Sequence, residues 1–269
     1  MDQPTEIIGI IPAAGKAERI SPLPCSKELY PIRFELSGPD GSVRPKVVSQ
    51  FLLDKMRLAD IHKAFFIIRE GKWDIPTYFR DGKNLNMHLG YLMMGLPYGV
   101  PFTVDQAYPF VNHSLVAFGF PDIIFQPDNI FIRLLTRLRE SNAALVLALL
   151  PAPEPSKVDM VDVDVTGRVM AILSKPNRTD LHYTWVAAVW NPLFTNFIHD
   201  HLATLSCSTS LKKTSNIKQT FIELSMGEVI QAALLSDLCT EAVIFPGSSC
   251  LDIGTPENLL KAAVHENAY

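Results

Sequence analysis

Cysteine is scarce in this chain. The four present, Cys25, Cys207, Cys239 and Cys250, have neither metal-ligand spacing nor a disulfide pattern, which argues against a cysteine-held metal fold or a stapled scaffold. Positive charge is not in excess either. Lys and Arg number 24 against 28 Asp and Glu, a formal net charge of −4 that speaks against broad nucleic-acid binding but leaves room for a local basic pocket. No apolar run is long enough to span a bilayer, and the opening MDQPTE lacks the basic and apolar regions of a signal peptide. A cytoplasmic location without a membrane partner is therefore expected. Two glycosylation-type triplets, Asn112-His113-Ser114 and Asn177-Arg178-Thr179, are read as chance on that basis. No internal repeat or low-complexity segment stands out.

What is present is enough apolar material for a sizeable core. A 48% hydrophobic share over 269 residues allows one large α/β domain or two smaller ones. The most informative stretch is IIGIIPAAGKAERISPLPCSKELYPI, residues 7 to 32. Ile7 to Ile11 reads as a fully buried strand that breaks at Pro12 into the small-residue turn Ala13-Ala14-Gly15. Such a turn exposes backbone N–H groups, and Gly15 would let a phosphate approach them closely. Arg19 adds a planar fork of donors and Lys27 a point charge, the usual side-chain partners of phosphate oxygens. From these residues alone, an ordinary strand-turn connection with two solvated cations fits equally well.

Further along, Gly38-Pro39-Asp40-Gly41 predicts the tip of a hairpin, and residues 46 to 60 predict a helix. Ala64 to Ile68 is a second buried strand, so the chain begins with a βαβ unit of the kind that builds parallel sheets. Lys72 to Gly82 reads as a short helix or loop, Leu89 to Met94 as a third strand, and a short helical stretch precedes His113. Leu115 to Phe120 predicts a fourth strand, with Asp122 just beyond its carboxyl end, where open α/β sheets bind ligands. Asp128 is the expected N-cap of a helix burying Ile130, Phe131, Leu134, Leu135 and Leu138. Ala143 to Leu150 has the unbroken apolar character of a central parallel strand.

After Pro151, Pro153 and Pro155 the style changes. Val158 to Val165 and Arg168 to Leu173 predict a hairpin with one wet face, and Tyr183 to Trp190 a β-rich run. Residues 192 to 203 and 225 to 235 predict helices, with a Ser/Thr/Lys-rich loop over 204 to 218 between them. A strand over Ala242 to Phe245 and a helix starting after Thr255-Pro256 complete the pattern. The expected fold class is α/β: one domain, 1–269, with a nucleotide-binding part over 1–150 and a β-rich part with C-terminal helices over 151–269.

In this order the residues resemble the sugar-1-phosphate nucleotidylyltransferases, the glucose-1-phosphate thymidylyltransferase and uridylyltransferase group. That family opens with a strand, an A-A-G or A-G-G turn, a G-T-R element and a P-K pair. Here the matching residues are Ala13-Ala14-Gly15, Ala17-Glu18-Arg19 and Ser26-Lys27, followed by Leu29-Tyr30-Pro31-Ile32. The family's Q-x-x-P-x-G base-binding turn is matched by Met94-Gly95-Leu96-Pro97-Tyr98-Gly99, and its G-D-N-I-F element by Pro121-Asp122-Ile123-Ile124-Phe125. The hairpin into E-K-P is matched by Val161 to Pro176, and the closing D-x-G-T-P by Asp252-Ile253-Gly254-Thr255-Pro256.

The resemblance implies a Rossmann-like, mostly parallel mixed sheet flanked by helices, with a β-rich sugar-binding lobe. It implies attack by a sugar 1-phosphate or related phosphate on the α-phosphorus of dTTP, UTP or CTP, with release of pyrophosphate. Arg19 and Lys27 would act on the triphosphate, Lys175 on the acceptor phosphate, and Asp122 and Asp252 would bind Mg²⁺. Ala13, Ala14, Gly15, Met94, Pro97 and Gly99 would surround the nucleotide. Departures from the pattern fall at Ala17-Glu18, at Met94 in place of the base-reading glutamine, at Ser174 in place of the glutamate, and among Val186-Ala187-Ala188. They keep two alternatives open: a catalytically weak homologue that binds nucleotide as a sensor or scaffold, and a cytidylyltransferase for a non-sugar phosphate. Homo-oligomer formation also stays open. Cys25 beside Lys27 is read as a quiet thiol, His199 and His201 as solvated, and Trp185 and Trp190 as core.

Overall fold

The computed structural model describes residues 6–36, 42–95, 98–152, 154–177, 179–210 and 223–264. The first apolar run forms β1 (Ile7–Pro12), and the predicted hairpin forms β2 (Pro31–Leu36) and β3 (Val43–Val47), its tip lying outside the described residues. Then come α1 (Val48–Leu58), β4 (Lys63–Arg69), α2 (Asp74–Phe79) and β5 (His88–Met94). Two short helices, α3 (Val100–Asp105) and α4 (Tyr108–Val111), lead to β6 (Leu115–Gly119), β7 (Ile123–Phe125), α5 (Ile130–Glu140) and β8 (Leu145–Pro151). The later part comprises β9 (Asp159–Val163), β10 (Val169–Ser174), β11 (Tyr183–Trp190), α6 (Pro192–Ser210), α7 (Met226–Leu235), β12 (Thr240–Ile244), β13 (Cys250–Asp252) and α8 (Pro256–Val264).

Among the described residues, nine strands make one mixed sheet, in the order β10-β9-β11-β6-β1-β4-β5, with β8 pairing β11 and β12. The run β6-β1-β4-β5 is parallel, as the βαβ reading requires, and puts the carboxyl ends of β1, β4 and β6 side by side. β11 runs antiparallel to β6 and β8. The α/β class and the mixed, helix-flanked sheet are as expected.

Helices on both faces explain why the central strands β1, β6 and β8 carry no polar side chain. In β8, Val146, Ala148 and Leu150 face one core with α1 and α5, while Leu145, Leu147 and Leu149 face the other with α6 and α7. β8 is parallel only to β12, however, so its unbroken apolar run reports two covered faces rather than wholly parallel neighbours.

A third, smaller core matters most for the site. Ile32, Val48, Phe51, Ile124, Leu251, Ile253 and Ala262 pack together and clamp the short ladder of β7 and β13 against the β2–β3 hairpin, α1 and α8. Burying three or four such side chains is worth several kcal/mol, on the order of 2 each. That gives a three-residue ladder a firm base.

Two expectations need correction. The N-cap of α5 is Asn129, without a side-chain cap, because the Asp128 carboxylate is engaged by the buried Lys55 ammonium. The helix α6 continues to Ser210 rather than yielding to a loop at 204; residues 211–218 of that expected loop lie outside the described residues. Among the described residues, no helix is long and apolar enough to cross a membrane.

Candidate active site

At the carboxyl end of β1 the chain stays tied to the sheet for one residue more: the Ala13 N–H donates to the Ile67 carbonyl at 2.8 Å. Ala13 and Ala14 are buried, and Gly15 emerges into solvent. The following turn places Ala17 in the left-handed region, φ 57°, and closes with the Ile20 N–H donating to the Ala17 carbonyl at 3.2 Å. Residues Gly15 to Ile20, with Lys27, Glu223 and Gly254, line a cleft of about 360 Å³. The predicted cradle therefore exists as a concave surface.

Lys27 begins a single 3-10 turn, Lys27–Leu29, and its Nζ donates to Asp122 Oδ2 at 2.5 Å. Burial works to lower the Lys27 pKa, but the Asp122 charge and hydrogen bond, with Glu28 and Asp252 nearby, hold it above its ordinary value. Asp252 arrives from the far end of the sequence. The β7–β13 ladder pairs Asp252 with Ile123, and the Ile253 N–H donates to the Asp122 carbonyl at 3.0 Å. The Asp252 carboxylate accepts from the Gly254 N–H at 2.7 Å, and its carbonyl from Asn258 Nδ2 at 2.8 Å. Its pKa is raised, first by burial and then by the Asp122 charge, with Lys27 and Arg19 opposing. Two carboxylates held against one another in this way suit a cation.

Arg19 reaches the same place. Its Nη2 lies 2.8 Å from where a Cβ on Gly254 would stand, and Asp252 Oδ1 lies equally near that point. Among the predicted residues, Gly15, Arg19, Lys27, Asp122 and Asp252 thus converge.

Lys175 stands apart. It is exposed, follows β10 with φ 41°, and lines a neighbouring cleft of about 340 Å³ with Asp159, Thr184, Trp185 and Ser225. Glu223 belongs to the walls of both clefts. Ser174 donates to Asp159 Oδ1 at 2.9 Å, so position 174 brings no carboxylate to this cleft, and Asp159 of β9 and Glu223 supply them instead. Trp185 and Trp190 are buried in the core, as expected, and Trp185 also lines this cleft.

At the expected base-binding turn, Met94 is buried and its sulfur accepts from the Thr103 hydroxyl at 3.1 Å. Pro97 lies outside the described residues. Gly99 has φ 114° and bridges to Leu224, whose carbonyl would stand 2.1 Å from an added Cβ. Only glycine permits that backbone approach, which ties the start of α3 to the segment before α7.

The sequence reading missed the charges behind Lys27. Glu28 is 1% exposed and Lys72 4%, and Lys72 Nζ donates to both Glu28 carboxylate oxygens at 2.6 and 2.7 Å. Burial pushes Glu28 up and Lys72 down, each opposed by its partner's charge. Asp74 accepts from the Ser26 N–H at 2.6 Å and its hydroxyl at 2.7 Å, fixing the residue before Lys27. These links span 44 and 48 residues, and no local pattern signals them. The Cys25 thiol is pushed up by burial and the Asp74 and Glu28 charges, in keeping with a quiet thiol. His199 and His201 are not simply solvated: His199 stacks on Tyr108 at 3.8 Å and bonds Asp105 at 2.9 Å, while His201 stacks on Phe197. Among the described residues, no cluster of three or more His, Cys, Asp or Glu side chains is poised for a metal.

A cleft carrying Lys16, Arg19 and Lys27 at the strand ends of an α/β sheet is chemically suited to an anionic ligand, and comparison with known proteins gives the family. The Nucleotidyl transferase family model matches residues 8–268, and the chain belongs to that family. It is 25% identical to the glucose-1-phosphate thymidylyltransferase of Mycolicibacterium smegmatis over 95% of this chain and 80% of that protein. It is 22% identical to the low-salt glycan biosynthesis nucleotidyltransferase Agl11 of Haloferax volcanii, over 94% of this chain but only 64% of the longer relative. In fold it is similar to a Bacillus anthracis protein described as a glucose-1-phosphate thymidylyltransferase, in complex with a sucrose. That likeness has a TM-score of 0.76 at 15% identity, covering 98% and 96% of the two chains. The inositol-1-phosphate CTP transferase from T. maritima gives 0.68 at 16% identity, covering 99% of each.

Proposed function

We propose that the chain is a Mg²⁺-dependent nucleotidylyltransferase that joins a nucleoside triphosphate to a sugar 1-phosphate or similar phosphate. The observation that carries this is the meeting of Gly15, Arg19, Lys27, Asp122 and Asp252 from three distant stretches at the carboxyl ends of the strands. In the reaction an acceptor phosphate oxygen bonds to the α-phosphorus, the bond to the β-phosphate oxygen breaks, and pyrophosphate leaves. Positioning and charge neutralisation supply the catalysis, with no covalent help from the protein.

The donor set fits the metal. Asp122 and Asp252 would hold Mg²⁺, a hard cation that takes one or two carboxylates and completes its shell with phosphate oxygens and water. When bound, it would neutralise charge on the phosphates. The Gly15 turn would receive the triphosphate, Arg19 would bind it through its planar fork, and Lys27 would meet charge on the reacting phosphate. Lys175, in the adjoining cleft, would hold the acceptor phosphate, with Trp185 and Asp159 beside the acceptor's body. A cytoplasmic location is part of this proposal.

The test is a panel of nucleoside triphosphates against sugar and alditol phosphates, with products followed by phosphorus NMR. The M. smegmatis relative makes dTTP with glucose 1-phosphate the first pair to try. A new diphosphate bridge with any pair supports the proposal, and its absence across the panel with folded protein counts against it. A second reading, a binding protein with little turnover, draws on Glu18, which lines the same cleft and, among the described residues, has its one ion pair with exposed Lys16 at 3.6 Å. Nucleotide-induced thermal stabilisation without turnover separates it from the first.

A further inference from the structure

Arg69 closes β4, the strand beside β1, and the turn from Arg69 to Lys72 carries it to the outer side of the phosphate loop. A second cavity of about 310 Å³ opens there, between the loop and this turn. Its charged lining residues are Lys16, Lys27, Arg69, Lys72 and Asp74. The carboxylate among them is committed, since Asp74 accepts from the Ser26 N–H and hydroxyl. Lys27 and Lys72 are held by Asp122 and Glu28, and Lys16 has its exposed contact with Glu18.

Arg69 has no such arrangement. Among the described residues no carboxylate lies within ion-pair distance of it, and its Nε is the one buried side-chain nitrogen or oxygen without a hydrogen-bond partner. Its Nη1 donates only within its own turn, to the Glu70 carbonyl at 2.9 Å. Arg69 thus lines a cationic cavity while one donor of its guanidinium, the buried Nε, is unspent, as at a site before its anion arrives.

We propose that this cavity is a phosphate site that takes the terminal phosphates of a bound triphosphate, and the pyrophosphate split from it, with Arg69 as their contact. The inference rests on the nucleotidyl-transfer reading. The cavity shares Lys16, Ala17 and Lys27 with the main cleft, so a polyphosphate bound at Lys27 can extend into it. A small rotation of the guanidinium would then present its fork to phosphate oxygens.

Isothermal titration of the full chain with sodium pyrophosphate, with and without Mg²⁺, tests it. Arg69→Met should weaken binding by about tenfold or more, the loss expected for a charge-assisted phosphate contact. Arg69→Lys, which keeps the charge and loses the fork, should fall between, and it carries the test should the methionine variant fail to fold. Pyrophosphate binding unchanged in the variants overturns the site, as does a wild-type chain that binds no pyrophosphate. Binding that depends on Arg69 in a chain without turnover would uphold the site while removing the catalytic reading. Turnover whose triphosphate KM ignores Arg69 would do the reverse.

Discussion

Lys27 Nζ and Asp122 Oδ2 lie 2.5 Å apart, joining residues 95 positions distant in sequence beside the cleft that follows β1. The pair does two jobs. It fixes the ammonium beside the turn that follows β1, and it sets a cation near Asp252 that offsets part of the repulsion from Asp122.

Lys27→Met should therefore damage stability and rate separately. Both side chains are 15% exposed, so removing the cation leaves a largely buried carboxylate unpaired, at a cost of about 3 kcal/mol. Urea denaturation reads that loss. Added Mg²⁺ should restore more stability to the variant than it adds to the wild type, because the cation replaces the missing charge. The rate of pyrophosphate release should fall by about 100-fold or more even where Mg²⁺ keeps the variant folded.

Asp252→Asn should act in the opposite direction on the free protein. A folded-state pKa above the ordinary 3.8 means that ionised Asp252 costs stability at every pH above the raised value. The cost fades as pH falls through that value and is gone below 3.8, where the carboxyl is protonated in both states. The asparagine variant, which can keep the oxygen that accepts from Gly254, should melt about 2 °C higher than wild type at pH 7 without metal. At low pH the two should converge. Mg²⁺ should stabilise wild type and leave the variant almost unmoved.

The Glu28–Lys72 pair predicts a different signature. Glu28→Gln strands a buried ammonium and Lys72→Met a buried carboxylate, each costing about 3–5 kcal/mol by urea denaturation. The double variant should cost clearly less than the sum, since neither charge is then left alone. Additive losses would show that the two side chains do not depend on each other.

Gly254→Ala tests the approach of Arg19. The new methyl would stand 2.8 Å from both Arg19 Nη2 and Asp252 Oδ1, a distance that requires one of them to move. Arg19 is an exposed side chain and can move at small cost in stability. The triphosphate KM should rise by about tenfold, equal to losing one charge-assisted contact, while the unfolding midpoint changes little.

How much of this was legible in the sequence follows from how local each feature is. β1 and β8 were readable because strands covered on both faces carry no polar side chain, and β11 because only Thr184 interrupts its aromatic and aliphatic run. The apolar face of α5 was readable because all five expected residues are buried at helical spacing. Its cap was not, since Asp128 serves Lys55 instead of the helix. The extent of α6 was hidden by its polar end, where Thr204 and Ser206 donate to the carbonyls four residues back and let the helix run on. In the site, Gly15, Arg19 and Lys27 sit on one continuous stretch, and family order supplied Asp122 and Asp252. The β7–β13 ladder joining those two aspartates is three residues per strand and carries no periodicity of its own. Glu28, Lys72, Asp159 and Arg69 depend on partners or cavities that only the folded chain brings together.

The most direct measurement is pyrophosphate release from dTTP and glucose 1-phosphate, then from the wider panel, comparing wild type with Asp122→Asn under saturating Mg²⁺. The account predicts turnover by the wild-type chain and a loss of about 100-fold or more in a folded Asp122→Asn variant, because the substitution removes a charge from the pair proposed to hold Mg²⁺ beside Lys27. Equal turnover by the two proteins would contradict it, and so would a folded wild-type chain that releases no pyrophosphate with any pair.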